Sequence, residues 1–338
     1  MPESASHDGD EPAAETMRAI EVAGGSGPAE ALVPARRPRP EPRPGEILVR
    51  VRAAGVNRPD ILQRKGLYPP PPGASTVLGL EVAGEVAAVG PGGGRWAEGD
   101  RVCALLGGGG YAEYAVVDAR HALAVPEGLD FPQAAALPET VFTVWANVFE
   151  IGALRRGETL VVHGATSGIG VMALQMARAA GARVVATSRG ADKARRAREL
   201  GADLALDATA ADFRQRLAEA APDVILDMVG RDYLTANLEA LRPGGRLVQI
   251  AVQSGARAEI DLAKVMMKRL TVTGSTLRAR PADEKARLVR EVEANVWPWI
   301  EAGLVRPVLE ATFPLEQAAE AHRRLEAGGH VGKVVLLP

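Results

Sequence analysis

With 338 residues the chain is long enough to bury two cores, so two domains are expected. A net charge of −2 leaves no basic excess to displace counterions from a phosphate backbone, which argues against a nucleic-acid partner. Cys103 is the single cysteine, which excludes an intrachain disulfide and any multi-cysteine metal site.

Residues 1–16 are polar and acidic, without the basic start and apolar middle of a signal peptide, and read as a disordered extension. No apolar run is long enough to span a bilayer, so no membrane partner is expected and a cytoplasmic location follows by default. The run Arg36-Arg37-Pro38-Arg39 is basic but broken by proline, and reads as an extended connector. From Arg18 to about Ala136 short β-type runs alternate with glycine and proline. Ile47–Val51, Val82–Val89, Arg101–Leu105 and Ala112–Val117 are expected strands; 69–72 and 107–110 are expected loops.

After Pro138 strands and helices alternate. Strands are expected at 159–163, 183–187, 203–206, 223–228, 246–251 and 270–274, which gives an α/β fold with a doubly wound, parallel, six-stranded Rossmann sheet. The tail reads as a helix near 282–301, another at 315–326 and a last strand at Lys333–Leu337. The nucleotide domain (137–284) is then an insert in a β-rich domain made of 17–136 and 285–338. The cleft between the two is the natural place for a substrate.

The stretch 159–188, TLVVHGATSGIGVMALQMARAAGARVVATS, carries most of the chemistry. A strand enters a turn with Gly164, Gly168 and Gly170, and a helix follows that closes at Gly181. Small residues let the backbone approach a pyrophosphate, and the helix N-terminus favours its charge. The next strand ends Thr187-Ser188-Arg189, with Lys193 one turn on. An NAD site usually ends this strand with a carboxylate for the ribose hydroxyls. A hydroxyl and two cations instead suit a 2′-phosphate and point to NADPH. The competing reading is that Arg189 and Lys193 are ordinary solvated charges.

The motifs AAGVNRPDILQRKGLY (53–68), GLEVAGEVAAVG (79–90), GGGGYAEY (107–114), LPETVFTVW (137–145), the GATSGIG turn and GKVVLLP (332–338) resemble the medium-chain dehydrogenase/reductase superfamily over roughly residues 17–338. Within it the chain is similar to the zinc-independent quinone oxidoreductases, with QRKGLYPPPPGAS (63–75) the most specific match, closest to the p53-inducible branch. The resemblance implies a GroES-like fold for the β-rich domain. Zinc members of the superfamily carry a cysteine where this chain has Asn57 and a His-Glu pair where it has Leu80-Glu81, so no metal is expected. His163 is expected to be packed or hydrogen-bonded rather than a ligand. The GATSGIG phrase also resembles the short-chain dehydrogenases, whose chemistry needs a Tyr followed four residues on by Lys. Tyr68, Tyr111, Tyr114 and Tyr233 are followed by Pro72, Ala115, Asp118 and Asn237, and that competitor fails.

The resemblance implies a hydride transfer to a small quinone or an α,β-unsaturated carbonyl. Asn57, in the position of the displaced zinc ligand, is expected to bond the nicotinamide ribose or the substrate; Tyr68, on its proline-stiffened loop, is the acid candidate. Ser167, Gly168 and Ile169 are expected at the phosphates, and Thr143 at the nicotinamide or pyrophosphate. Ile250 to Val252 and Thr276 to Arg278 are expected to line the nicotinamide side through backbone groups. Lys333 is expected to reach the cofactor, and Glu81 to make a structural hydrogen bond. A homodimer (or tetramer) through the sheet edge near Leu270–Gly274 is also implied. Two other functions stay open: an enoyl-thioester reductase, and a nucleotide-binding sensor or structural protein with little turnover.

Overall fold

A computed structural model of the chain describes residues 15–338. The disordered extension expected for 1–16 falls almost wholly outside these residues; at its end a strand has already begun, β1 (Thr16–Val22). This pairs antiparallel with β2 (Leu32–Pro38), so the basic run expected as a connector is largely strand. The ribbon has only two strands, and on such an edge Pro34 and Pro38 interrupt no central ladder. Arg37 pairs with Glu21, and Arg39 pairs with Glu15 and lies 4.4 Å above the centre of the Tyr114 ring.

The β-rich lobe continues with β3 (Glu46–Val56), α1 (Arg58–Arg64), β4 (Glu81–Val89), β5 (Arg101–Leu105), β6 (Tyr114–Asp118) and β7 (Ala122–Ala124). Two short helices, α2 (Phe131–Ala135) and α3 (Pro138–Val144), lead out of it. Trp145–Ile151 continues α3 as a widened helical turn with i to i+5 bonding, a form often found beside functional sites.

Then come β8 (Thr159–His163), α4 (Gly168–Ala179), β9 (Arg183–Ser188), α5 (Ala191–Glu199), β10 (Leu204–Asp207), α6 (Phe213–Glu219), β11 (Val224–Asp227), α7 (Arg231–Ala240), β12 (Arg246–Gln249), α8 (Leu262–Lys268) and β13 (Thr271–Gly274). All six strands run parallel in the order β10-β9-β8-β11-β12-β13. The order reverses between β8 and β9 on one side and β11 on the other, which opens a crevice at the carboxyl ends of the strands. The central strands are apolar on both faces because helices cover both.

The helix expected over 282–301 is two helices, α9 (Ala282–Asn295) and α10 (Trp297–Glu301). Pro298 has no N–H to return to the preceding turn, and the chain breaks at Val296. Then β14 (Leu309–Pro314), α11 (Ala318–Glu326) and β15 (Lys333–Leu337) bring the chain back to the first lobe. There β15 lies between β14 and β3 in the order β14-β15-β3-β4-β5-β7, with β6 paired to β3. The lobe is thus closed by strands from both ends of the described chain.

Candidate active site

The turn between β8 and α4 is built for close approach. Ser167 caps α4, its Oγ accepting from the Gly170 N–H at 3.0 Å. A methyl group at Gly170 would lie 2.5 Å from the Gly164 carbonyl oxygen and 2.6 Å from the Ala165 Cα, so only glycine lets helix and strand meet here. The N–H of Gly332 donates to the Thr166 carbonyl at 2.9 Å, which ties the turn to the segment entering β15.

At the end of β9, Thr187 is held by His163, whose other ring nitrogen meets Asn237 Oδ1 at 2.7 Å. His163 is therefore a buried, fully partnered residue, and burial holds it below its ordinary pKa. The next residue, Ser188, is 5% exposed, and its hydroxyl has no hydrogen-bond partner. Arg189 and Lys193 lie beside it, and neither forms an ion pair among the described residues. Asp192, the nearest acid in sequence, is turned to Arg195 at 2.9 Å. An orphaned hydroxyl and two uncompensated cations at one wall fit the 2′-phosphate of NADPH.

These groups line one end of a cavity of about 760 Å³ between the lobes. Every candidate residue from the sequence lines it: Ser167, Gly168, Ile169, Ser188, Arg189 and Lys193 at the nucleotide turn, Thr143, Ile250, Val252 and Thr276 along the middle, and Asn57, Tyr68, Arg278 and Lys333 at the far end. Asn147, one turn after Thr143, donates to the Thr143 carbonyl at 2.9 Å and accepts from Ser275 at 2.8 Å, which fixes the loop after β13.

Three of these residues also make contacts within the protein that the sequence did not reveal. The Asn57 amide, expected to be free for ribose or substrate, is already engaged. Its Nδ2 donates to Glu81 at 2.8 Å and its Oδ1 accepts from Lys333 Nζ, while its backbone starts α1. Lys333 was expected to reach a cofactor, yet its ammonium serves the Val56 carbonyl, Asn57 and the Glu81 carboxylate at 2.5 Å. Two of its three donors are used in hydrogen bonds, and its charge is paired with Glu81. Its stem still faces the nucleotide turn: a methyl group at Gly168 would meet Lys333 Cδ at 2.5 Å. Arg278 was expected to contribute its backbone, but its side chain crosses to the β-rich lobe. Nε and Nη2 donate to the Gly107 carbonyl at 2.9 and 2.7 Å, and Nη2 also to Gln63 at 2.7 Å. Its guanidinium lies 5.5 Å from the Tyr68 ring centre, and Nη1 is buried without a partner.

The same cluster settles the fit of a zinc ion on donor chemistry. Position 57 offers an amide, position 80 a leucine, and the fully buried Glu81 carboxylate already faces an ammonium and accepts from the Glu139 N–H at 2.8 Å. Among the described residues no group of three His, Cys, Asp or Glu side chains is arranged to hold a metal. The residues do not fit zinc. Tyr68 is half-buried; burial raises its phenol pKa, with Arg278 pulling the other way. Its hydroxyl therefore stays protonated through neutral pH and is a hydrogen-bond donor.

Sequence reasoning missed Glu139, Arg231 and Tyr233, which also line the cavity. Arg231 and Tyr233 open α7 just past the carboxyl end of β11, where the general rule for open parallel sheets places ligands. Glu139 stood inside the LPETVFTVW motif, and no local pattern sets it apart from a solvated helix-start acid.

Comparison with known proteins follows the same outline. A family profile described as "Zinc-binding dehydrogenase" matches residues 168–294, and one described as "Alcohol dehydrogenase GroES-like domain" matches residues 43–127. The quinone oxidoreductase of Rattus norvegicus is 32% identical over 328 residues, covering 95% of this chain and 98% of that protein. Among solved structures, one described as an NAD-dependent alcohol dehydrogenase superposes with a TM-score of 0.85 at 34% identity, covering 95% of this chain and 100% of that one. A mycobacterial protein solved in complex with NADPH superposes with a TM-score of 0.84 at 30% identity over the same shares.

Proposed function

This chain belongs to the quinone oxidoreductase family of the medium-chain dehydrogenases and reductases, and on that premise we propose that it reduces quinones or α,β-unsaturated carbonyls with NADPH and without a metal ion. One observation carries the reading. A single cavity joins a cationic wall suited to a 2′-phosphate to a far end where an ammonium–carboxylate pair stands at the zinc-ligand positions.

When bound, NADPH supplies the hydride. Ser167, Gly168 and Ile169 hold its pyrophosphate at the start of α4, and Ser188, Arg189 and Lys193 hold its 2′-phosphate. Thr143, Ile250, Val252 and Thr276 line the nicotinamide. Tyr68 forms the acceptor's wall and donates a hydrogen bond to the acceptor oxygen, where negative charge develops. Asn57 acts through Lys333, fixing the ammonium against Glu81, and Arg278 clamps the loop of Gly107 to the nucleotide lobe. Residues 17–136 and 285–338 serve the acceptor, and 137–284 serve the nucleotide.

The test is direct. Purified protein should oxidise NADPH with 1,4-benzoquinone at a rate that a chelator leaves unchanged, and should turn over crotonyl-CoA more slowly. Absence of turnover with the quinone, or a strict need for zinc, would refute the reading.

A homodimer is part of the same proposal. Among the described residues the edge strand β13 has no neighbour on its outer side, and beside it α8 buries none of its side chains. Leu262, Met266 and Met267 are 70%, 73% and 70% exposed, and Val272 adds to the same apolar face. A second copy, pairing edge to edge, covers both the open strand and this face. No helix among the described residues is long and apolar enough to cross a membrane. Residence in the cytoplasm belongs to the proposal, supported by the lone, buried and unpaired Cys103.

A further inference from the structure

We propose that Glu139 is the proton donor of the reaction, giving its carboxyl proton to the acceptor oxygen as hydride arrives. The inference rests on the reductase reading and adds to it the residue that completes the reduction. Glu139 begins α3, where its N–H donates to Glu81 and so holds the residue at the far end of the cavity. Its carboxyl lines that cavity together with Tyr68 and Arg278, and among the described residues it makes no hydrogen bond or ion pair. Beside it, Arg278 Nη1 is buried and unpartnered. Buried polar groups are rarely left unpaired, and the Arg278 Nη1 atom is one; with the partly buried, unpaired Glu139 carboxyl on the same cavity wall, it marks a place where something else binds. The guanidinium N–H suits a carbonyl oxygen gaining charge, and the carboxylic acid suits the same oxygen needing a proton.

The surroundings keep that acid protonated. Burial first, then the Glu81 carboxylate on β4 and Asp60 on α1, against the pull of Lys333 on β15 and Arg278, together bring the Glu139 carboxyl up to about 8. Lys285 on α9 and Tyr68 feel its charge in turn. Glu81 is taken up by Asn57, Lys333 and the Glu139 N–H and does not line the cavity, and the Tyr68 phenol is held above its ordinary value, which leaves Glu139 as the acid facing the acceptor. For a quinone the balance is simple. The acceptor takes two electrons and one hydrogen as hydride from NADPH, and one proton from Glu139, and becomes the hydroquinone. The carboxylate left behind recovers its proton from water.

Glu139→Gln keeps the shape and removes the transferable proton, and Glu139→Asp keeps an acid. With NADPH and 1,4-benzoquinone, kcat of the wild type should fall as pH rises through about 8, with a solvent deuterium isotope effect. Glu139→Gln should lower kcat by about 100-fold or more, lose both the alkaline limb and the isotope effect, and leave the Kd for NADPH, read by fluorescence, within twofold. Glu139→Asp should recover part of the rate. In nucleotide-free protein, the infrared carbonyl stretch of a protonated carboxyl should vanish above about pH 8 in the wild type and be absent in Glu139→Gln. A Glu139→Gln enzyme with wild-type kcat and an unchanged alkaline limb overturns the proposal, as does a carboxyl band already lost near pH 5. Failure of the wild type to reduce the quinone would instead sink the reductase reading, leaving the infrared titration to judge the acid itself.

Discussion

The 2′-phosphate of NADPH carries about −1.5 to −2 charges at neutral pH, and in the proposed reading the wall of Ser188, Arg189 and Lys193 meets it with an unpartnered hydroxyl and two cations. The hydroxyl of Ser188 is already stripped of water, so a phosphate oxygen restores a bond that the empty wall lacks. Replacing Arg189 and Lys193 together by alanine should raise KM for NADPH by about 10- to 100-fold, or about 1.4–2.8 kcal/mol. KM for NADH should hardly move. Steady-state kinetics with both nucleotides checks this, and an equal loss for the two would show that these cations do not read the phosphate. The far end of the cavity follows another logic: Lys333 is paired with Glu81 and Arg278 serves carbonyls, while Arg278 Nη1 and the Glu139 carboxyl have no partner among the described residues. Unmatched groups mark both places where an exogenous molecule is needed.

The element that makes this possible is the β8–α4 turn, and its tolerance is narrow. Gly170→Ala would drive a methyl group into the backbone of Gly164 and Ala165, which cannot give way without shifting the helix. The variant should lose about 1–3 kcal/mol of stability in urea and bind NADPH more weakly. Wild-type stability would mean that the helix can slide. This turn was legible in the sequence because its strand, small residues and helix are contiguous, and because buried parallel strands read as apolar runs. All six strands of the nucleotide sheet were legible for the same reason. The β1–β2 ribbon was hidden by its prolines, and the break at Val296 by the otherwise regular pattern on either side. The Asn57–Lys333 contact joins residues 276 apart. No local pattern encodes such a contact, which is why the inward pairing of the Lys333 ammonium with Asn57 and Glu81 was not legible.

At the scale of the molecule, the two lobes meet at the cavity and the nucleotide sheet ends in an open edge. Met266→Glu with Met267→Glu puts charge on the apolar face beside β13 without touching the cavity. Light scattering after size exclusion should report a dimer for the wild type and a monomer for the variant, with NADPH affinity retained. A wild type that runs as a monomer would leave the face to some other role.

The return of the last strand to the first lobe also sets an order of events during biosynthesis. A chain emerging from the ribosome presents Glu81 long before the ammonium that will neutralise it, and presents Thr166 before the Gly332 amide that will hold its carbonyl. Domains tend to fold as they emerge, N-terminal part first, so the early lobe must wait with an uncompensated buried acid, a costly arrangement. A nascent product halted short of residue 332 lacks both the counter-ion and the brace.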